Sequence, residues 1–434
     1  MMTREENELL TQVGRGKPAG ELLRRYWQPI ALGEELAPDG PPKPVRILGE
    51  DLVLFRNDHG KIGLMDIHCA HRGADLSYGR VEDGGLRCIY HGWLYDLEGR
   101  CLDQPGEPEG GRNCGSIRNK AYPCLEKAGL VFAYLGPGEP PLLPVYEILD
   151  VPDDQRFTHK VYSECSYLQA NEGNIDPVHL SFLHRIFDED LAGRGRPSRY
   201  TTVRGSNDSP NQLCGENLAP NLDLELEDFG VRIYSCRPVD EKAYLRVSNF
   251  VMPNLCAVPG ETQGAGYLVN WHVPIDDGHH WKFMIVFSRK EPLNQQRFRE
   301  RYTSEVLADY QPRRRAANRY GQDREEQKTR SYTGMGSFFP GHDLYATESQ
   351  GPIQNRTQEH LVTSDIAIVA ARKQLFRGIQ DVTEGRDPQH VIRDPRKNRF
   401  PHMVVISEVV STATDIKAYT HQVETEAKEK VASA

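Results

Sequence analysis

The stretch that decides the fold runs over residues 69–91 and reads CAHRGADLSYGRVEDGGLRCIYH. It begins with Cys69 and His71 and ends with Cys88 and His91, and sixteen residues lie between the two pairs. Each pair offers one thiolate and one imidazole in a glycine-containing loop, where backbone N–H groups can donate to sulfur. Thiolates hold iron–sulfur clusters, and two imidazoles can replace two of the thiolates on one iron. The spacing therefore predicts a metal site built from two neighbouring loops.

Three interpretations of this site remain open on ligand type alone. Two cysteines and two histidines also suit tetrahedral zinc, and buried thiols beside unrelated histidines would need no metal. Structural zinc sites usually place both cysteines in one knuckle, whereas here each loop has one ligand of each kind. That distribution favours a two-iron cluster in which each iron takes ligands of one kind. Neutral imidazoles would raise its reduction potential from about −400 mV to roughly −150 to +300 mV.

The pattern around these loops predicts an α+β chain. Short apolar runs alternate with glycines and charged turns from Pro44 to Gly136, which indicates a small antiparallel β domain. A proline-rich segment follows, and beyond it strand and helix patterns mix. We expect three parts: an N-terminal helical segment (1–43) packed on the third part, the small antiparallel β domain (44–148), and an α+β domain with an antiparallel sheet and flanking helices (149–434).

Composition excludes several classes of protein. A chain of 434 residues suggests about two to three domains. With 53 basic against 62 acidic residues the net charge is −9, which argues against bulk nucleic-acid binding. No apolar run is long enough for a transmembrane helix, and the charged start lacks a signal peptide's apolar core, so we expect a cytoplasmic protein and no membrane partner. Nine cysteines without an export signal make a disulfide framework improbable. We expect the last twenty or so residues to fray.

A second group of metal-binding side chains follows the proline-rich segment. Asp176, His179 and His184 lie within the nine residues DPVHLSFLH. Two imidazoles and one carboxylate can hold a non-haem Fe(II) with open positions for O₂ and substrate. The stretch around them reads as helix, but a spacing of five places the two histidines about 140° apart, so the helix must end or widen between them. Asp176 before Pro177 also suits a helix N-cap, and His184 could face solvent.

Together, the two groups resemble the α subunits of Rieske non-haem iron aromatic ring-hydroxylating oxygenases. The pattern C-x-H-x16-C-x2-H is similar to the oxygenase type of Rieske segment, because respiratory Rieske proteins carry extra cysteines in both loops. The pattern D-x2-H-x4-H is similar to the iron-binding segment of this family. The whole chain is most similar to the phthalate-dioxygenase-like branch.

The resemblance implies a role for each of these residues. Two cysteines and two histidines would hold a Rieske [2Fe-2S] cluster, namely Cys69, His71, Cys88 and His91. His179 and His184 would hold the mononuclear Fe(II), with a third ligand from a distant Asp on a C-terminal helix. Asp365, in EHLVTSDIAIVAARKQL, is our choice for that ligand, although an Asp in a first turn is also favoured by the helix dipole. Asp188 and Asp190 are the alternatives.

Asp176 would then act in electron transfer. In the family an Asp at this place bridges, across a subunit interface, to a Rieske histidine of the neighbouring chain. The remaining cysteines would be structural: Cys101, Cys114, Cys124, Cys165, Cys214, Cys236 and Cys256.

The resemblance also implies a reaction and partners. The chain would be a terminal oxygenase that activates O₂ to hydroxylate an aromatic compound, with ring dihydroxylation of an aromatic carboxylate favoured. NAD(P)H electrons would arrive through a reductase carrying FMN and a plant-type [2Fe-2S] cluster, or through a ferredoxin. The branch consists of α subunits alone, as trimers or stacked trimers. The alternatives are a Rieske monooxygenase for O- or N-dealkylation or aryl ether cleavage, and a non-enzymatic electron carrier or zinc-stabilised binding protein.

A carboxylate substrate would need a cationic partner in the pocket. The arginines of the catalytic domain considered for this role are Arg204, Arg232, Arg237 and Arg246. We favour Arg246 in AYLRVSNF, although the acidic stretch LDLELEDFG speaks against phthalate itself. The segment 198–221 is expected to form a loop over the mouth of the pocket.

Overall fold

The structure is a computed structural model, and it describes residues 2–38, 40–108, 111–112, 114–186, 210–260, 262 and 266–432. The α-helices of this part of the chain are α1 (Arg4–Thr11), α2 (Pro18–Leu23), α3 (Glu147–Asp150), α4 (Tyr167–Ile175), α5 (Pro210–Glu216), α6 (Gln295–Glu305), α7 (Arg324–Thr329), α8 (Phe339–Glu348), α9 (Ile366–Thr383) and α10 (Ile416–Ala432). None of them is long and apolar enough to cross a membrane.

The strands of the first half are short. They are β1 (Gln28–Leu32), β2 (Lys43–Ile47), β3 (Glu50–Arg56), β4 (Ile62–Asp66), β5 (Arg80–Glu82), β6 (Gly85–Arg87), β7 (Leu94–Tyr95), β8 (Cys101–Asp103), β9 (Ala121–Tyr122), β10 (Cys124–Lys127) and β11 (Leu130–Ala133). The later strands include much longer ones: β12 (Arg156–Ser163), β13 (Asn221–Glu227), β14 (Gly230–Val239), β15 (Lys242–Val251), β16 (Leu255–Val258), β17 (Leu268–Asp276), β18 (His279–Phe287) and β19 (Ile406–Ser411).

Antiparallel pairing joins these strands into four sheets. Three small sheets have the orders β1-β11-β10, β2-β3-β4-β9 and β5-β6-β7-β8. The eight-stranded sheet has the order β12-β18-β17-β16-β15-β14-β13, and β19 pairs with β15 beside β16. The small antiparallel β domain and the following α+β domain predicted from the sequence are therefore confirmed as the fold class.

The N-terminal segment joins both parts of the chain. Its strand β1 pairs with β11 of the β domain, with Gln28 opposite Ala133. Its helices pack on the later part: the Tyr167 hydroxyl donates to the carbonyl of Leu10 at 3.0 Å, and Leu22 packs closely over Gly378 of α9. We keep the boundaries 1–43, 44–148 and 149–434 as a proposal.

Helix α4 ends earlier than the sequence suggested. Its last residue is Ile175, because Asp176 precedes Pro177 and a residue before proline is driven out of the α region. A short 3₁₀ turn, His179–Ser181, follows. Both histidines therefore lie in irregular backbone beyond the helix, which frees them from the 3.6-residue period.

Hydrogen bonds and ion pairs fix α4 against the end of α8, the segment that follows it and α9. The side-chain amide of Gln169 donates to the carbonyls of Thr347 and Gly351, each at 2.9 Å. Glu172, also on α4, forms buried ion pairs with Arg356 at 2.7 Å and Arg372 at 2.6 Å. Elements that are far apart in sequence are thus held against α4.

The prediction of a frayed C-terminus is wrong for most of that segment. Helix α10 packs Ile416, Tyr419 and Val423 against Tyr234 and Leu245 of the large sheet. The apolar side chains recur at helical spacing, and burial against the sheet stabilises a helix that would be marginal alone.

Candidate metal centres

Two adjacent turns bring the first group of predicted ligands together. In the first, the N–H of Gly73 donates to the carbonyl of Cys69, and in the second the N–H of Gly92 donates to that of Cys88. Both glycines have a positive φ, which a side chain would disfavour. The rings of His71 and His91 lie 4.5 Å apart between centroids.

The side chains in these turns suit an iron–sulfur cluster. Both sulfurs are almost completely buried, and burial raises the pKa of the Cys88 thiol, while N–H groups of Tyr90 and His91 oppose that shift. The hydroxyl of Tyr95 lies 3.1 Å from the sulfur of Cys69. Nδ1 of His71 is buried without a hydrogen-bond partner among the described residues, as expected of an atom that would ligate a metal.

Apolar side chains cover the outside of these turns. Ile89 and Tyr90 of the second turn are 61% and 55% exposed, and Tyr78 of the preceding connection is 73% exposed. We call these three residues the apolar tip. Exposed apolar side chains of this size make these positions candidates for a contact with another protein.

The second group is completed by a residue that the sequence analysis missed. The ligand atoms of His179, His184 and Asp343 all lie within 4.8 Å of one another. Nε2 of His184 is 3.1 Å from Oδ1 of Asp343, and Nε2 of His179 is 4.0 Å from the same oxygen. Two imidazoles and one carboxylate on one side of a metal is the arrangement of non-haem Fe(II) oxygenases.

The electrostatic environment of the group favours protonation states that can bind a metal, namely a neutral imidazole of His179 and an ionised carboxylate of Asp343. Burial and the nearby His184 lower the pKa of His179, which keeps its imidazole neutral. Burial alone would raise the pKa of the Asp343 carboxyl, but His184, Lys282 and His179 hold it well below its usual range. The Asp343 side chain is 26% exposed, so the site is open on one side.

The position of Asp365 corrects the choice of carboxylate. Asp365 lies in a 3₁₀ turn just before α9, and its Oδ2 accepts a hydrogen bond from the N–H of Val362 at 2.7 Å. It therefore stabilises the start of its own helix, whereas Asp343 on α8 faces the two histidines. The alternatives Asp188 and Asp190 lie outside the described residues.

One sequence signal could have pointed to Asp343. His342 and Asp343 are two adjacent polar residues within the apolar run FFPGHDL, and His342 is completely buried. Polar side chains inside an apolar run need partners, so such a pair is a candidate for a functional site.

Asp176 lies on the other side of His179. Its Oδ2 is 3.8 Å from Nδ1 of His179, and its Oδ1 accepts from the N–H of Val178 at 2.7 Å. The side chain is 28% exposed. Asp176 thus follows the end of α4 rather than capping the start of a helix, and it can accept from His179 while it remains reachable from outside.

The arginines differ in their partners. Arg232 pairs with Glu227 at 2.9 Å and Arg237 donates to the carbonyl of Pro177 at 2.6 Å, while Nε of each is buried without a hydrogen-bond partner among the described residues. Arg246 is 7% exposed, and its Nη1 is buried without a hydrogen-bond partner in the part of the chain that the structure describes. Arg204, and residues 198–209 of the expected loop, lie outside the described residues. Residues 210–216 form α5 instead of a loop.

The seven other cysteines are free thiols. The sulfurs of Cys101 and Cys114 lie 3.2 Å apart within the β domain, and burial raises the pKa of Cys101 to about 12. None of the seven lies in the two ligand groups described above. A structural role for them stays a prediction.

Two family models together match most of the chain. The Rieske [2Fe-2S] domain matches residues 26–123, and the family described as "LigXa C-terminal domain like" matches residues 133–434. The two matches divide the chain near the proline-rich segment that follows β11.

Curated relatives resemble the chain over most of its length. The α subunit of phenoxybenzoate dioxygenase from Ectopseudomonas oleovorans is 35% identical over 88% of this chain and 87% of its own length. The oxygenase subunit of 5,5'-dehydrodivanillate O-demethylase from a Sphingobium species is 34% identical over 92% of this chain and 85% of its own length.

A solved structure shares the fold. The terminal oxygenase of carbazole 1,9a-dioxygenase from Nocardioides aromaticivorans is 20% identical, with a TM-score of 0.58 over 86% of this chain and 97% of that one. With the two family matches and the relatives above, this places the protein: the chain belongs to the α subunits of Rieske non-haem iron oxygenases, which carry a Rieske [2Fe-2S] cluster and a mononuclear iron and use O₂ with electrons from a reductase.

Proposed function

We propose that this oxygenase dihydroxylates the ring of a small aromatic carboxylate. The observation that carries the proposal is Arg246, a buried cation whose Nη1 has no hydrogen-bond partner among the described residues. Its charge acts on His179, where it adds to the larger effects of burial and His184 in lowering the pKa of that imidazole. A buried N–H group without an acceptor is costly, and a carboxylate of the substrate could supply that acceptor to Nη1 of Arg246.

The direction of strand β15 supports this role for Arg246. Residues two apart on a strand share a face, and Tyr244, two positions before Arg246, belongs to the apolar cluster against which Leu180, in the turn between His179 and His184, packs. Arg246 therefore points to the side of the sheet on which the iron ligands lie.

The residues present fit both metal groups. The four residues of the two turns, Cys69, His71, Cys88 and His91, would hold the Rieske cluster through two sulfurs and two imidazoles. His179, His184 and Asp343 would hold the iron, His184 through Nε2 and Asp343 through Oδ1, the atoms that face each other. Two imidazoles and a carboxylate leave positions open for other ligands.

The residues of the chain divide the remaining work between them. When bound, the two metal groups supply the electrons and the activation of O₂ that hydroxylation requires. Arg246 would bind the carboxylate and so orient the ring. Asp176 would accept a hydrogen bond from Nδ1–H of His179 and so fix the tautomer in which Nε2 faces the iron. The apolar wall around Phe338 and Phe339 would exclude water from the site.

A ring of identical chains would account for the exposed apolar tip. We expect a head-to-tail trimer, or stacked trimers, in which the apolar tip of one chain covers the face of the next on which Asp176 is exposed. Burial of Tyr78, Ile89 and Tyr90 in this contact would remove their exposed apolar surface from water. Electrons would enter from NAD(P)H through a reductase carrying FMN and a plant-type [2Fe-2S] cluster, or through a ferredoxin, and the cytoplasmic location stays a prediction.

A second candidate reaction is O-demethylation. The observation that favours it is the similarity to a demethylase subunit. Its identity of 34% is close to the 35% of the dioxygenase subunit. Its substrate would also be an aromatic compound with a polar substituent that Arg246 could bind. The two reactions differ in the number of oxygen atoms that enter the product.

The experiment is a product analysis with labelled O₂. The oxygenase, a reductase and NADH are incubated under ¹⁸O₂ with aromatic carboxylates, with their methoxy derivatives and with neutral aromatic compounds of the same size. We expect a carboxylate to be consumed and its product to carry two labelled oxygens. An unlabelled phenol, formed together with formaldehyde that carries the label, would support the demethylase instead.

A matched pair of variants tests the anion site. R246M should raise the KM for the carboxylate strongly, and R246K should restore part of the loss because it keeps the charge without the fork geometry. If only neutral compounds are turned over, and R246M turns them over as the wild type does, the proposed substrate class is wrong.

A further inference from the structure

Three polar side chains form a row on a buried face of the large sheet, and we call Asn270, His272 and Lys282 the polar row. Asn270 and His272 lie two apart on β17, and His272 stands directly opposite Lys282 on β18. Residues two apart on a strand, and residues directly opposite each other, share a face of the sheet. The side-chain amide of Asn270 donates to Oδ1 of Asn174 on α4. The row therefore faces the helix that leads into the iron site.

Arg246 lies on the same face of this sheet. Phe250, four residues after Arg246 on β15, pairs with Cys256 of β16, and Cys256 pairs with Asn270. Each of these steps keeps to one face of the sheet. Strand β15 is two strands away from β17 and three from β18, which is about 10 and 14 Å across the sheet. A single substituent of a substrate is too small to bind both Arg246 and the polar row.

The polar row contains atoms that no protein group completes. Oδ1 of Asn270 and Nε2 of His272 are buried without a hydrogen-bond partner in the part of the chain that the structure describes. The amine of Lys282, a side chain that is only 6% exposed, forms neither a hydrogen bond nor an ion pair with any described residue. A sheet face that packs on a helix is normally apolar, and polar atoms left alone there are costly. Such atoms are expected where a ligand supplies their partners.

The polar row lies beside helix α8, next to the iron ligand that this helix carries. Lys282 borders a cavity of about 10 Å³ together with Gly341 and Leu344, which flank Asp343 on α8. The cavity has room for about one water-sized group. Burial alone would raise the pKa of the Asp343 carboxyl, and the charge of Lys282 is among those that hold it well below its usual range. Arg246 lies near the turn that carries the two histidines, so the row and Arg246 flank the iron site from two ends.

A hydroxyl group suits the polar row better than a second carboxylate does. The hydroxyl oxygen can accept from the amine of Lys282, and its hydrogen can be donated to Oδ1 of Asn270. Because a hydroxyl both donates and accepts, it also suits Nε2 of His272 in either tautomer of that ring. A carboxylate only accepts, so it would meet Oδ1 of Asn270 without a hydrogen between the two oxygens.

We propose that the polar row is a second substrate subsite, which binds a hydroxyl group at the end of the aromatic compound opposite its carboxylate. The inference rests on the function proposed above and narrows its substrate class to hydroxylated aromatic carboxylates. Arg246 holds the carboxylate, the polar row holds the hydroxyl, and the iron site lies between the two ends. A hydroxyl beside the carboxylate stays near Arg246 and gains nothing from the row.

The test is the selectivity of binding, measured by anaerobic isothermal titration calorimetry of the complete oxygenase. Benzoate and biphenyl carboxylate are each compared with the derivative that carries a hydroxyl at the far end of the molecule. We expect the far-end hydroxyl to lower the Kd of the wild type about 10- to 100-fold for the ring system that spans the two subsites. The ortho-hydroxybenzoate, with its hydroxyl beside the carboxylate, should bind no more tightly than benzoate.

Two variants remove the partners of the hydroxyl without changing much of the space. K282M keeps a long unbranched side chain without the amine, and N270L replaces the amide by a side chain of similar size. Both should lose most of the preference for the far-end hydroxyl. K290M, which changes an exposed lysine just after β18, should keep the preference of the wild type. If N270L does not fold, K282M carries the test alone.

The ratio of two Kd values within one protein separates this role from a structural one. Damage to the site as a whole, including its iron, weakens both ligands alike and cancels in the ratio. Equal Kd values with and without the far-end hydroxyl in the wild type, or an unchanged ratio in K282M, would overturn the subsite. The proposed function fails separately: if R246M binds all the carboxylates as the wild type does, Arg246 is not the carboxylate site, whatever the ratio in K282M.

Discussion

The two candidate metal centres are built in opposite ways. The four residues of the Rieske turns come from one stretch of 23 residues in the small β domain, in which the sulfurs of Cys69 and Cys88 are almost completely buried. The three residues of the iron site come from two places in the chain, the turn after α4 and helix α8. They lie where that helix and that turn meet.

This difference separates a local site from a tertiary one. The Rieske turns need only their own hairpins and a small core that includes Phe55, Leu76 and Tyr95. The iron site needs α4 and α8 to be held side by side. Gln169 on α4 and Glu348 on α8 form hydrogen bonds that hold this part of the chain together. Damage to one centre should therefore leave the other intact.

The largest expected effect is that each metal centre can be removed by substitution without loss of the other. H184A should lose the mononuclear iron and reduce product to background while it keeps the Rieske absorption. C88A should lose the cluster absorption and also form no product, but it should still bind Fe²⁺ at the second site. Metal analysis together with visible and EPR spectra of both variants checks this.

Loss of both metal centres in one variant would contradict the independence of the two sites. If C88A also fails to bind Fe²⁺ while the protein remains folded, the iron site depends on the β domain and is not an independent tertiary site. A colourless wild-type protein with stoichiometric zinc would remove the Rieske assignment altogether.

The next effect concerns the residue expected to connect the two centres. D176N keeps an oxygen for the N–H of Val178, so the turn should survive, but its neutral amide accepts less well from His179. We expect both metal centres to remain and product formation to fall by about 10- to 100-fold or more. In single-turnover stopped-flow, the reduced cluster should fail to reoxidise when O₂ and substrate are added.

A matched control is D309N. Asp309 caps an exposed turn in the same way, by accepting from the N–H of Gln311 at 3.2 Å, and it lies in neither metal site. D309N should reoxidise as the wild type does. Normal reoxidation in D176N would reduce Asp176 to a turn-forming residue.

The smallest expected effect is a pH dependence of the free energy of unfolding, caused by a buried carboxyl group on α8, the helix that carries Asp343. Burial raises the pKa of Glu348, at the end of α8, from 4.5 to about 7. The folded protein therefore keeps a proton that the unfolded chain releases, so this stability is present below pH 4.5 and is lost as the pH rises through about 7. Over that range the loss is about 1–3 kcal/mol.

Urea unfolding at several pH values checks this effect. E348Q stays neutral and should remove most of the pH dependence, whereas E300Q, at an exposed helical position, should not. An unchanged pH slope in E348Q would show that the buried carboxyl does not govern the stability of this region.

The sequence was informative where the contacts are local. The four residues of the Rieske turns, the strands of the large sheet and the approximate place of the two iron histidines all follow from short patterns. Asp343 could not be found in this way, because nothing in the spacing between His184 and Asp343 shows that α8 packs beside the turn after α4. Asp365 matches the distant Asp on a C-terminal helix that the resemblance implies, but its carboxylate accepts from the backbone N–H of Val362 instead.

The most direct test of the account compares the two carboxylates. The mononuclear iron content of D343N and D365N is measured after reconstitution with Fe²⁺, with the Rieske spectrum as the internal standard. The account predicts that D343N loses the mononuclear iron and that D365N retains it, with a wild-type Rieske spectrum in both. Iron retained in D343N and lost in D365N would contradict the account and return the third ligand to the start of α9.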